Sequence, residues 1–191
     1  MAIMAGGIIT RSEDMDVTKI IQTLIQTMDS QKRHTLIKTG GRLTSVISSI
    51  NQSDEEKNVL QFEERIGYRL PDDYRLFLMK FNGVKIFQEL LDGRNIGGGL
   101  ELFSIQEIVE NLEYMDKKSK LLPIGKVEQQ FLVISLEAIE KKNPNYLFLL
   151  DHIDGPRPLH LNLELFLDRF IVSQGSVFWE WPIYTAENYY Y

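Results

Sequence analysis

The side chains best suited to catalysis lie in one short polar segment, Asp151-His152-Ile153-Asp154, which runs into Gly155-Pro156. Two carboxylates and an imidazole at the end of a strand could hold a divalent metal ion. No clear further ligand stands nearby in the sequence, and polar residues are common in the turn that follows a strand. We therefore interpret this segment as a turn, and we expect neither a bound metal nor a cofactor.

Other patterns that could support an enzyme are weak. His34 lies in a basic turn, His160 alternates with leucines, and the absence of cysteine removes any thiolate nucleophile. Gly97-Gly98-Gly99 lacks the Lys and Ser/Thr that complete a phosphate-binding loop, which favours a flexible connection. The pairs Glu55-Glu56 and Glu63-Glu64 lie on predicted helices, where adjacent side chains point apart. These patterns predict a protein that is not an enzyme.

Side chains suited to binding another protein lie in predicted loops and in the aromatic C-terminal segment. Acidic loop residues, chiefly within residues 88–95 and the turn at 151–154, could meet a basic surface. Two tryptophans would share one side of an extended segment, and tryptophan is a frequent interface anchor. Solvated turns, and an arm that covers an open side of the sheet, are the structural alternatives. The candidate partner-binding residues are Glu89, Asp92, Asp151, Asp154, Trp179 and Trp181.

The overall charge narrows the class of partner. The 191 residues include 27 acidic and 21 basic side chains, a net charge of −6, which disfavours direct binding of nucleic acid. No apolar run approaches the length of a membrane span, and residues 1–16 lack the basic lead of a secretion signal. We expect a cytoplasmic protein that binds neither nucleic acid nor membrane.

Helical spacing of apolar residues predicts five amphipathic helices. Asp14 or Asp16 can cap the first, and the spacings Ser53 to Glu56 and Ser104 to Glu107 fit capping boxes. Asn162 fits the cap of the last helix. The predicted helices cover residues 17–28, 54–66, 71–81, 105–115 and 163–171.

Strand signals are concentrated in the second half of the chain. Short apolar runs at 100–103, 121–124, 131–134 and 146–150 predict one antiparallel sheet. Residues 35–47, around Gly40-Gly41, fit either a hairpin or a loop that leads into a helix. The glycine-rich segment 84–100 fits a mobile loop. Together these elements predict an α+β fold, a central antiparallel sheet flanked by helices.

The order of elements around residues 62–83 resembles the opening motif of the SUKH superfamily of Smi/Knr-like domains. The motif runs from Phe62 through Leu70-Pro71-Asp72-Asp73-Tyr74 to Leu78, and Asn82-Gly83 follow it. Further matches lie at 122–125, 146–151 and 166–167, whereas residues 126–130 depart from the glycines and acidic residue often found there. The resemblance covers residues 53–173.

The resemblance implies a small α+β binding domain, most often a bacterial immunity protein that neutralises a cognate toxin, commonly a nuclease, by stoichiometric binding. Fungal relatives imply the alternative of a regulatory scaffold of cell-wall synthesis, and a metal-dependent hydrolase is a weaker alternative. A homodimer is also possible. The expected organisation is a disordered leader (1–16), a helix and connection packed on the domain (17–52), the SUKH-like domain (53–173) and an aromatic extension (174–191).

Overall fold

A computed structural model describes residues 16–38, 41–116, 118–151 and 153–181. These residues form an α+β fold with an antiparallel sheet, as the sequence predicts, and the structure has six α-helices where five were predicted and nine strands in the sheet. The helices are α1 Val17–Gln26, α2 Glu56–Ile66, α3 Asp72–Phe81, α4 Ile105–Leu112, α5 Leu136–Glu140 and α6 Leu163–Val172. The strands are β1 Arg33–Lys38, β2 Arg42–Ile50, β3 Val84–Leu91, β4 Arg94–Gly97, β5 Leu100–Leu102, β6 Leu121–Val127, β7 Gln130–Ser135, β8 Leu147–Asp151 and β9 Gly155–Pro158.

The sheet topology separates two kinds of connection. The strand order is β1-β2-β3-β5-β6-β7-β8-β9, and β4 also pairs with β3. The registers place the β1–β2, β3–β4, β6–β7 and β8–β9 connections at one end of the sheet, which we call the turn end. The helical connections through α2–α3, α4 and α5 lie at the opposite end, the helix end.

Three amphipathic helices pack together over the main core. Helix α1 contacts both α3 and α6, and α3 also contacts α6. Asp16 begins α1 by accepting a hydrogen bond from the Lys19 backbone N–H at 2.9 Å, and Val17 and Ile21 on the apolar face are fully buried. Phe77 of α3 is fully buried and its ring lies 5.9 Å from that of Tyr74. The apolar faces read from the sequence are therefore core faces.

Segment 84–100 is not the predicted mobile loop. It forms β3, the β3–β4 turn and β4, because Val84, Ile86 and Phe87 are buried and anchor β3 in the middle of the sheet. Glycine is needed here because the backbone passes close to its neighbours. A Cβ on Gly99 would overlap the carbonyl oxygen of Ile86. Composition suggested a loop, but burial of alternate apolar residues produced a strand.

The helix caps and the first hairpin give mixed outcomes. The capping box at Ser104 and Glu107 is confirmed, with both reciprocal hydrogen bonds present. The box predicted at Ser53 is wrong, because α2 begins after Glu55 and the Asp54 carboxylate accepts the Glu55 N–H at 2.8 Å. The segment that fitted either a hairpin or a loop forms the antiparallel β1–β2 pair.

Candidate functional site

The two predicted contact residues at the β3–β4 connection lie in different settings. Glu89 lies within β3, opposite Val46, and its carboxylate is 3.6 Å from the Lys38 ammonium. Asp92 is exposed in the turn, where its φ of 50° and the 76° of Gly93 close a tight hairpin. The predicted loop contact at residues 88–95 is thus a hairpin, and Lys38 offsets the charge of Glu89.

The β8–β9 turn contains the other two acidic candidates. The Asp151 carboxylate accepts the Ile153 backbone N–H at 2.7 Å and the Gln130 side-chain amide at 3.1 Å. Asp154 is exposed in the same turn. His152 lies outside the described residues, and among those described no group of three or more His, Cys, Asp or Glu side chains could hold a metal ion. The Asp151 carboxylate therefore shapes the turn.

The C-terminal segment folds back onto α6 and reaches β9. Residues Phe178–Glu180 form a 3-10 helix, so the predicted extended conformation of Trp179 to Trp181 is wrong. The Trp179 ring stacks 5.8 Å from the Phe166 ring, which partly buries it, whereas Trp181 remains 45% exposed. Residues 182–191 lie outside the described residues, so the structure describes only the beginning of the aromatic extension.

The structure brings the C-terminal segment and the β8–β9 turn together. The Arg157 guanidinium donates to the Glu180 carboxylate at 2.6 Å, and both residues line a 240 Å³ pocket with Asp151 and Asp154. Strand β3 is four positions from β8, roughly 19 Å at about 4.8 Å per strand. The six predicted residues therefore form two separate groups at the turn end.

A groove between α2 and α4 is a feature that the sequence reasoning missed. It encloses about 550 Å³, and Phe62, Ile105 and Val109 supply its apolar lining. Polar side chains line the rest of the groove, and two of them are charged, the Asp54 carboxylate and the Arg65 guanidinium. We call it the α2–α4 groove.

The motif residues Asn82-Gly83 position α4 beside α2. The Asn82 side-chain oxygen accepts the Ile105 N–H at 2.9 Å, at the first residue of α4. A Cβ on Gly83 would lie 2.7 Å from the Asn51 amide nitrogen and 3.0 Å from the Ser104 backbone nitrogen. Glycine is therefore required where the α3–β3 connection passes the start of α4.

Negative charge is concentrated on these two helices and their ends. Residues 54–66 and 104–116 contain nine carboxylates and two basic side chains, a net charge of −7 against −6 for the whole chain. The other residues together therefore carry +1. The nine are Asp54, Glu55, Glu56, Glu63, Glu64, Glu107, Glu110, Glu113 and Asp116. A charge count along the sequence would have revealed the run without a basic residue from Gly99 to Asp116, but not its proximity to α2.

Two of these carboxylates form ion pairs within the protein, and a third caps a helix. Glu56 and Glu63 lie 3.5 and 3.7 Å from the Arg75 guanidinium of α3, and Glu107 completes the capping box with Ser104. The other six form no ion pair with a basic side chain of residues 16–38, 41–116, 118–151 and 153–181. Their charge is available to a binding partner.

A buried carboxylate–phenol contact at the helix end has a structural role. The Tyr146 hydroxyl donates to Asp73 at 2.6 Å, and the other Asp73 oxygen accepts the Leu163 and Glu164 N–H groups at 3.1 and 3.3 Å. Burial, and next the neighbouring Asp73 charge, hold the pKa of Tyr146 well above its usual value. The phenol stays protonated and joins α3, β8 and the start of α6.

Comparison with known proteins identifies the family of the domain that contains the motif at residues 62–83. The model of the SMI1 / KNR4 family (SUKH-1) matches residues 55–169. This chain belongs to the SMI1 / KNR4 family. The SUKH resemblance read from the motif is therefore confirmed, and the matched residues run from the start of α2 into α6. Membership of this SUKH-1 family supports an immunity-type, non-enzymatic role.

Two relatives of this SUKH-1 protein occur in Bacillus subtilis (strain 168). The chain is 39% identical over 178 residues to the uncharacterized protein YobM, covering 91% of this chain and 96% of the relative. It is 27% identical over 127 residues to the uncharacterized protein YnaB, covering 65% of this chain and 81% of that relative. The match to YobM extends well beyond the family domain. No helix within the described residues has the length and apolar character needed to cross a bilayer.

Proposed function

We propose that this protein is a cytoplasmic immunity protein that neutralises one cognate toxin, a nuclease, by direct stoichiometric binding. Membership of the SUKH-1 family is the observation that carries the proposal. The protein acts by binding and not by catalysis, and the Asp151 and Asp73 carboxylates accept hydrogen bonds that shape a turn and join helices.

Charge supports a basic partner surface. A nuclease that binds a phosphate backbone presents a basic cleft, and an acidic protein is steered toward such a surface over distances of about a Debye length. Surface electrostatics of this kind raises the association rate more than the final affinity. The six predicted contact residues stay a prediction, and Asp154 and Trp181 are exposed members of the group at the β8–β9 turn.

The proposal is tested by identifying a toxin gene beside this gene in its native genome and coexpressing the two genes. Growth should be rescued by this protein and not by a relative from another toxin locus. The purified mixture should form a complex whose mass, from light scattering during size exclusion, equals one copy of each chain. Failure to rescue growth, together with separate elution of the two proteins, would refute the proposed function.

A further inference from the structure

We propose, on the basis of the toxin-binding function above, that the α2–α4 groove is the docking surface for a basic, amphipathic segment of the toxin. The proposal concerns a different surface from the six predicted residues at the turn end. It commits to one occupant, a segment with apolar side chains on one side and Lys or Arg on the other.

The shape of the groove suits an apolar edge of that segment. Its lining contains Phe62, which is nearly fully buried, and the partly buried Ile105 and Val109. Burial of apolar surface in such a groove supplies affinity, less the costs of association. Apolar side chains of the toxin segment would occupy this lining.

Carboxylates border this apolar lining and continue past it. Asp54 lies at the α2 side, and Glu110 accepts the Gln106 side-chain amide at 3.0 Å on the α4 side. Glu113 follows in the turn after α4 together with Tyr114, which is 86% exposed. An exposed tyrosine beside charge is typical of an interface anchor. This border would pair with the Lys or Arg side of the segment.

The charge distribution favours this surface over the turn end. The two helices and their ends carry −7, or −6 when the Arg75 guanidinium beside Glu56 and Glu63 is included, and the rest of the chain is then neutral. At the turn end, Lys38 offsets Glu89 and Arg157 offsets Glu180. A basic partner approaching from solution is therefore drawn to the α2–α4 side of the molecule.

Two double variants with the same change of charge separate the surfaces. Glu110→Lys with Glu113→Gln alters the groove border, and Glu128→Lys with Gln129→Lys alters the exposed β6–β7 turn at the turn end. The probe is a labelled amphipathic peptide of about 14 residues, Lys on one face and Leu on the other, ~21 Å long as a helix. Its anisotropy is measured at low salt with the full-length protein, and circular dichroism checks that each variant is folded.

We expect saturable one-to-one binding that weakens about tenfold in the groove variant and less than about twofold in the turn variant. Tyr114→Ala should weaken binding about fivefold without changing the charge. Equal weakening in both double variants, or no saturable binding to the parent protein, would overturn the proposal. A concentration-dependent dimer that the groove variant abolishes would also overturn it, because the occupant would then be a second copy.

The toxin assay separates failure of the groove from failure of the function. If the parent protein rescues growth and the groove variant rescues it equally, the groove proposal fails while the function stands. If the parent does not rescue growth but the groove binds the peptide, the toxin-binding function fails on its own. A groove variant that is folded yet loses rescue supports both.

Discussion

Removal of the Asp73 carboxylate should destabilise the domain far more than removal of its neighbour Asp72. Asp73 accepts four hydrogen bonds: from the Tyr146 hydroxyl at 2.6 Å, the Tyr74 N–H at 2.9 Å, and the Leu163 and Glu164 N–H groups at 3.1 and 3.3 Å. These donors belong to α3, to the residue before β8 and to the first turn of α6. One side chain thus joins three parts of the helix end.

The expected loss in the free energy of unfolding depends on how many hydrogen-bond donors lose their acceptor. In Asp73→Ala, Leu163 keeps the Tyr146 oxygen at 3.0 Å as an acceptor, but the buried Tyr146 hydroxyl and the Tyr74 and Glu164 N–H groups lose theirs. An unsatisfied buried group costs about 1 to 3 kcal/mol, and the two part-buried N–H groups cost less because water can reach them, so we expect a loss of about 2 to 5 kcal/mol. Asp72 is 88% exposed and makes only an exposed pair with Arg69, so Asp72→Ala should cost less than about 0.5 kcal/mol.

Urea unfolding of the two variants, followed by far-ultraviolet circular dichroism, measures this difference. Asp73→Asn keeps one acceptor oxygen and should lie between Asp73→Ala and the parent protein. Tyr146→Phe supplies a double-mutant cycle, in which the combined loss should fall about 1 to 2 kcal/mol below the sum of the single losses. An Asp73→Ala protein as stable as Asp72→Ala would show that the network contributes nothing to folding.

Three further outcomes are expected. Phe77→Ala should lose about 3 to 5 kcal/mol in urea unfolding, because Phe77 is fully buried; an unchanged melting temperature would contradict this placement of α3. Burial lowers the pKa of His34, so stability should be complete above about pH 6.5 and decline as the pH falls below it, and His34→Phe should flatten this dependence between pH 7 and 5. Divalent metal or chelator should leave the melting temperature unchanged, and a dose-dependent rise would instead indicate a site near Asp151 and Asp154.

Much of the scaffold could be predicted because its signals are local. The i, i+3, i+4 apolar spacing of α3 and the capping box of α4 depend only on residues within one or two turns. The stop at Asn82 is also local, since its left-handed φ of 36° ends α3. The same is true of the short apolar runs that became β6, β7 and β8.

Strands β3 and β4 were missed because their stability comes from distant parts of the chain. Strand β3 contains Lys85, Gln88 and Glu89 and is followed by glycines, yet it pairs with β2, β4 and β5, and the Phe87 ring stacks 6.0 Å from that of Phe170 in α6. The conformation of Trp179 was also mispredicted, because Phe166 of α6 offers it a ring at 5.8 Å. The composition of a short segment does not indicate which distant residues it will contact.

The topology explains why the acidic surface escaped sequence reasoning. Loops are the usual candidates for contact sites, and the turn end does contain short exposed turns, but there Lys38 pairs with Glu89 and Arg157 pairs with Glu180. The antiparallel sheet brings its helical connections to the opposite end, so α2 and α4, separated by about 40 residues in the chain, lie side by side there. Each helix alone is an ordinary solvated helix. Their juxtaposition doubles the local negative charge around an apolar groove, and it is this pairing, made by the fold, that gives the protein a surface suited to a basic partner.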